Sequence, residues 1–326
     1  MSMNMNTEIA QSSQPGLEPP MEEVTSTAPS KKPPGPWKTV WKKFSRNPYA
    51  MTGLVVLSIF VLAAIFAPWL APYKPEAINL DGDMGGGGHL LGVDELGRDI
   101  FSRLLYSARI SLLVGFTVAA ASVIIGSFVG AISGYFGGWI DTIFMRFVDV
   151  MNSIPLLFLN ILVLAIFGSK VSYMIMILVF TSWMSVARLV RGNFLQLRET
   201  QYVEAAKAIG VSSWGIIFRH LLRNASFPII VNATLMVGGA ILSESALSFL
   251  GLGVQAPDTS WGQMLSNAQE FMLTDPIQAV YPGLCILIVV LSVNFIGDGI
   301  RDALDPRQKA TVSRRRLKQW RKDYSK

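Results

Sequence analysis

The side chains that could do chemistry in this sequence are few and widely spaced. His89 and His220 lie far apart and fall on opposite sides of a membrane in the topology drawn below, so no shared metal is expected. Cys285 is the single cysteine and stands in an apolar run, which excludes an internal disulfide and makes a buried thiol the default. No G-x-x-x-x-G-K-S/T phosphate loop occurs, so the chain does not hydrolyse ATP by that route. The stretch TQYVEAAKAIGVSSWGIIFRHLLRN, residues 200–224, carries one carboxylate, Glu204, with Lys207, Arg219, His220 and Arg223. This is the longest water-compatible stretch between two strongly apolar blocks.

The stretch reads as two short helices about a glycine elbow. Val203, Ala206 and Ile209 fall at helical spacing, with Glu204 in the opening turn where a carboxylate meets the positive end of the helix dipole. Gly210 can take the left-handed conformation that closes a helix, and Ser212 or Ser213 can cap the next one. Trp214, Ile217, Phe218, Leu221 and Leu222 then form one apolar stripe flanked by Arg219 and Arg223. Spacing alone fits an amphipathic hairpin on lipid headgroups as well as a docking element.

The rest of the chain must hold that hairpin at a membrane. Apolar residues make up 51% and charged residues only 15%, against about 25% charged in a soluble domain, so the chain is membrane-embedded. The formal charge of +6 sits in blocks beside apolar spans, with no aromatic-interleaved basic face. Membrane lipids with anionic headgroups are therefore the expected partner, and nucleic acid is not.

Residues 1–36 are polar, lack an apolar signal-peptide core and are expected to be a disordered cytoplasmic segment. Residues 37–300 form the membrane domain, and residues 301–326 a basic cytoplasmic tail. An interfacial piece carries Trp37, Val40, Trp41 and Phe44 with Lys38, Lys42, Lys43 and Arg46. Six spans follow, near 50–70, 110–134, 141–167, 173–189, 227–250 and 277–300. An external elbow helix is expected over 94–108, with Ile100, Phe101, Leu104, Leu105 and Ala108 on one face and Arg98, Asp99 and Arg103 off it, after a flexible joint at Gly85 to Gly88. Basic residues mark the N-terminal segment, the loop between spans four and five, and the tail, which puts both termini and residues 200–224 in the cytoplasm.

Within the spans, Gly126, Gly130 and Gly134 recur every four residues and predict a tight helix contact, since small residues let a neighbouring backbone approach. Span three carries Arg146 and Asp149 three apart, an expected pair, and Pro155, an expected kink. The short turn at Gly168 to Ser172 makes spans three and four antiparallel neighbours.

Glu204 to Gly210 (EAAKAIG), followed after nine residues by HLLR at His220 to Arg223, resembles the "EAA, three residues, Gly, nine residues, I-x-L-P" loop of permease subunits of bacterial binding-protein-dependent ABC importers. His220 stands where that pattern has Ile, and Arg223 where it has Pro. LLGVDELGRDIFSRLLYSARISL from Leu90, SESALSFLGLGVQAPDTSWGQML from Ser243 and NFIGDGIRDALDPR from Asn294 are similar to the C-type permease of the dipeptide/oligopeptide/nickel branch.

The resemblance implies an all-α polytopic protein of the type I ABC importer permease fold, with six transmembrane helices and a cytoplasmic coupling-helix loop. It further implies that Glu204, Ala205, Ala206 and Gly210 couple to an ATPase: small alanines for close approach, glycine for the interhelix angle, and the carboxylate as an anchor. The implied partners are a second permease subunit, two ATPase subunits that bind the ATP and Mg, and an extracytoplasmic peptide-binding protein. The subunit itself is expected to be non-catalytic, without cofactor or metal, and to sit in the bacterial cytoplasmic membrane. Glu244, in the outer part of span five, is a candidate for the translocation path, where it would meet a substrate amine; a carboxylate satisfied at the interface or by a neighbouring span is the favoured alternative.

A nickel or other small-solute permease shares this architecture. An ion-coupled secondary transporter would carry protons on intramembrane carboxylates, but no segment recurs as the paired repeat such folds often show. A lipid-bound scaffold using the basic tail is a third class.

Overall fold

The computed structural model describes residues 36–78, 88–255 and 257–304. The expected disordered segment up to residue 35, most of the glycine joint and the tail from residue 305 lie outside the described residues. Every regular element among the described residues is helical.

A short helix, α1 (Pro36–Phe44), precedes α2 (Pro48–Ile65). Asn47 starts α2 by accepting from the amides of Tyr49 and Ala50 at 3.1 and 3.3 Å, with Pro48 in the first turn, where its missing N–H costs no bond. Helix α3 (Ala67–Leu70) closes that crossing, and α4 (Ile100–Phe136) makes the second. Then come α5 (Gly138–Ser153), α6 (Leu156–Phe167), α7 (Val171–Leu197) and α8 (Gln201–Ala208). Helix α9 (Ser213–Gly215) runs through a π-helical segment, Ile216–Leu221, into α10 (Leu222–Leu247) and a second π segment, Ser248–Leu252. Helices α11 (Trp261–Ala268) and α12 (Ile277–Leu304) complete the chain.

Five of these helical stretches are long and apolar enough to cross a membrane, and α5 with α6 forms a sixth crossing bent by 83°. One end of that pair is tied to the end of α7 through Asp141 and Arg191, and the other reaches the start of α7 through residues 168–170. The crossings therefore alternate. Helix α1, the α7–α9 connection and the end of α12 share one side, here called the loop side, while residues 71–99 and 253–276 share the far side.

Three expectations are corrected in detail. The elbow helix is no separate element: Asp99 caps α4 by accepting from the Ser102 amide at 2.7 Å, and the helix then runs unbroken for 37 residues. Arg103 and Asp99 do not sit off its buried face but are 4% and 1% exposed. Gly92 and Gly97, both at positive φ, fold the preceding turn so that Asp94 accepts from the Arg98 amide and Nε, at 2.9 and 2.7 Å, and from Arg103. His89 lies 2.9 Å from Asp99 in the same cluster. Asp149 pairs with Arg188 of α7 at 3.0 Å instead of Arg146, because the packing of α5 on α7 offers a partner across the helices.

The most extensive contact in the bundle joins α4 to α7. A Cβ at Gly126 would fall 2.6 Å from that of Val186; at Gly130 it would meet the backbone oxygen of Ala187; at Gly134 it would fall 2.6 Å from that of Phe194. Backbone-to-side-chain packing of this kind is how helices adhere where lipid supplies no hydrophobic drive. On the other flank α12 lies against α2, with Gly53 facing the Ser292 backbone and Gly299 facing Ala50.

Candidate functional site

Helix α8 leaves α7 through Thr200 and ends in two hydrogen bonds that define a Schellman closure: the Val211 amide to the Ala206 carbonyl and the Gly210 amide to the Lys207 carbonyl, each 3.0 Å. Gly210 holds the φ of +80° that this closure needs. Ser212 then caps α9, accepting from the Gly215 amide at 3.3 Å. Val203 and Ala206 are buried, whereas Ile209 is 81% exposed because it lies past the last helical turn.

The second half of the hairpin departs from an ordinary helical stripe. Ile216, Ile217 and Leu221 are fully buried, while Trp214 and Phe218 are about half exposed. A π turn brings residues five apart onto one face, so Ile216 and Leu221 point inward together and Phe218 is carried outward. The buried set packs with Val203 and Ala206 against Val190 and Phe194 of α7 and Ala131 of α4. Asn224 adds a polar tie, donating to Tyr202 at 3.1 Å and to the His220 carbonyl at 2.9 Å.

Glu204, Ala205 and Gly210 are thereby left on the exposed surface, with Ala206 beneath them in the core. The ridge is small-sided and carries one carboxylate; Lys207 on α8 and Arg219 and Arg223 on the second arm are also exposed. Its support is stiff in a specific sense: the hairpin core is continuous with two crossings. No helix end interrupts the chain at His220 to Arg223; with arginine in place of proline, the amide at position 223 stays available and the helix continues into α10.

Above the hairpin, α5, α6, α7 and α10 line an open cavity of about 510 Å³. Glu244 does not line it, although its neighbours Ser243, Ala246 and Leu247 do. Glu244 is fully buried on an adjacent face of α10, turned toward Ser111 of α4. It accepts from Ser248 at 2.7 Å and from Ser111 at 3.3 Å, and Ser111 in turn accepts from the Trp261 amide at 3.2 Å. The carboxylate is thus satisfied by hydroxyls that join α4, α10 and α11, a structural placement that the Ser-rich pattern SESALS would have suggested.

Among the described residues no group of His, Cys, Asp and Glu is arranged to hold a metal ion.

Comparison with known proteins gives this geometry a context. Residues 122–310 match the family described as binding-protein-dependent transport system inner membrane component, and residues 35–90 match the N-terminal TM domain of oligopeptide transport permease C. A dipeptide transport system permease protein of Alkalihalophilus pseudofirmus is 40% identical over 299 residues, 91% of this chain and 96% of that protein. A glutathione transport system permease protein of Escherichia coli is 42% identical over 277 residues, 84% and 91% of the two chains; one from Shigella sonnei matches equally. A solved structure of the methionine ABC transporter MetNI, in inward-facing conformations, aligns with a TM-score of 0.52 at 21% identity, over 63% of this chain and 98% of that one, and shares the fold.

Proposed function

The chain belongs to the binding-protein-dependent transport inner-membrane component family, as an integral membrane permease subunit of an ABC importer, and from this premise we propose that its cargo is a short peptide and that the Glu204 to Gly210 ridge receives the ATPase. The ridge is cytoplasmic, as are both termini. A second permease completes the membrane path, two ATPase subunits bind ATP and Mg, and an extracytoplasmic peptide-binding protein delivers cargo to the far side. The subunit supplies no catalytic group. The named cargoes of the relatives, a dipeptide and glutathione, support a peptide of two or three residues.

The observation that carries the coupling role is the continuity of the hairpin: an exposed ridge whose buried underside is shared with α4 and α7 and whose second arm runs into α10 without a break. Movement of an ATPase bound at Glu204, Ala205 and Gly210 is then delivered to three crossings at once. Nucleotide and loaded binding protein each favour one state of the path, as alternating access requires.

The test is uptake of labelled di- and tripeptides by the purified four-subunit assembly in proteoliposomes with its binding protein. Wild type should accumulate peptide with ATP, and Glu204→Ala or Gly210→Pro should lose most uptake while remaining in the membrane. Normal uptake in both variants removes the basis of the coupling role. Uptake by this chain alone, driven by a proton gradient, would remove the importer reading.

A further inference from the structure

The open cavity lined by α5, α6, α7 and α10 is built where the third crossing breaks. Ile154 and Pro155 are both extended, with ψ of 128° and 111°, and the two half-helices meet at 83°. Irregular backbone at membrane depth is tolerated only where it is buried in protein or lines a wet cavity, because lipid cannot satisfy the freed carbonyls. Here Ser153 donates to the Val150 carbonyl, in the last turn before the break, at 2.6 Å, and Asn152 donates back along the helix to that of Val148 at 2.8 Å.

Beyond the break, Asn160 stands in the middle of α6 with Oδ1 buried and without a hydrogen-bond partner, and the residue is only 6% exposed. It lines the cavity, as do Ser182 of α7 and Ser243 of α10. A buried amide oxygen without a hydrogen bond is costly and calls for a partner. No ionisable residue lines the cavity, and Gly239 and Ala240 keep one wall low. Its volume of about 510 Å³ lies inside the ~300–1,000 Å³ range of small-ligand sites.

We propose that Asn160, with Ser182 and Ser243, forms an uncharged section of the translocation path that recognises cargo by its main-chain amides and is indifferent to side-chain charge. The inference rests on the peptide-importer reading and deepens it. An asparagine amide offers a donor and an acceptor together, the complement of a peptide group, whereas a charged wall would hold one class of side chain and repel another. Serine hydroxyls, which rotate to donate or accept, extend the same neutral recognition across the passage.

The experiment uses the complete assembly with its binding protein in proteoliposomes, supplied with two peptides that differ only by Lys or Glu at one position. Each variant's uptake ratio is divided by that of wild type, which cancels the preference of the binding protein. Asn160→Asp should depress the Glu peptide relative to the Lys peptide by about tenfold or more, as expected for a like charge a few ångströms away in a partly screened site. Ser243→Asp, at an exposed position on the α10 wall, should shift the ratio in the same direction and decides the matter if Asn160→Asp does not assemble. Asn160→Leu should slow both peptides equally. Wild-type ratios in the aspartate variants that assemble, or an unequal loss in Asn160→Leu, overturn the proposal. Absence of peptide uptake by wild type would instead overturn the reading on which it rests.

Discussion

Gly130 has the Ala187 backbone oxygen where a side chain would begin, and its two partners along α4 have Val186 and Phe194 equally close. Three positions thus define how near α4 and α7 can come. Gly130→Val should separate the helices and destabilise the subunit by roughly 1–3 kcal/mol or more, as overpacking does. The check is the thermal midpoint of the purified assembly in detergent. Gly192→Ala on α7 is the control, because nothing lies within 4 Å of its missing Cβ; it should leave the midpoint unchanged or slightly higher. The stripe at 126, 130 and 134 was readable because a four-residue period survives any rotation of the helix. For Glu244 the favoured reading, a carboxylate satisfied by a neighbouring span, holds; the identity of that partner, Ser111, was not legible, because it stands 133 residues away.

At the scale of elements, the π segment before α10 decides which side chains the hairpin buries. Removing Arg219, an exposed residue within it, should convert the wide turn to an ordinary one. Ile216 and Leu221, then four apart in an ordinary turn, would still share a face, so the hairpin core should persist. Circular dichroism should register little loss of helix, and ATP-driven peptide uptake should be retained. Loss of uptake with helix retained would show that the wide turn itself serves coupling. This element also marks the limit of what the sequence discloses. Two loop helices and a glycine elbow were legible, as were six crossings and a weakness at Pro155. A reading at 3.6 residues per turn assigned Phe218 to the buried stripe and missed Ile216, because the local period differs. The ionic cluster of Asp94, Arg98 and Arg103 was likewise hidden, since a turn with two positive-φ glycines folds it and charge patterning alone shows only a polar stretch.

For the whole molecule, the described fold begins at Pro36, and every core cluster draws on residues from Val40 onward. Deleting the first ~30 residues, a polar low-hydrophobicity stretch, should therefore leave assembly and uptake intact, measured by recovery of the partner subunits on affinity purification. Loss of any subunit would reveal a contact that the amino-terminal stretch alone supplies. The six crossings and both sets of connecting segments were deduced from charge placement and hydropathy because the membrane constrains them directly. The 83° bend had no comparable signature: proline announces a disruption, and neighbouring helices set its angle.

Helix α4 gives the two faces of the membrane a common balance sheet. At about 55 Å it exceeds a ~30 Å hydrocarbon core by more than half. One end is anchored in the ionic cluster and the other in the hairpin core, with no break between. Any ligand that shifts this rod from one side changes affinity on the other, and thermodynamic reciprocity then fixes the return effect at the same factor. If nucleotide on the ATPases tightens docking of the binding protein tenfold, docking must tighten nucleotide tenfold. Equilibrium titrations from opposite faces would therefore yield one number.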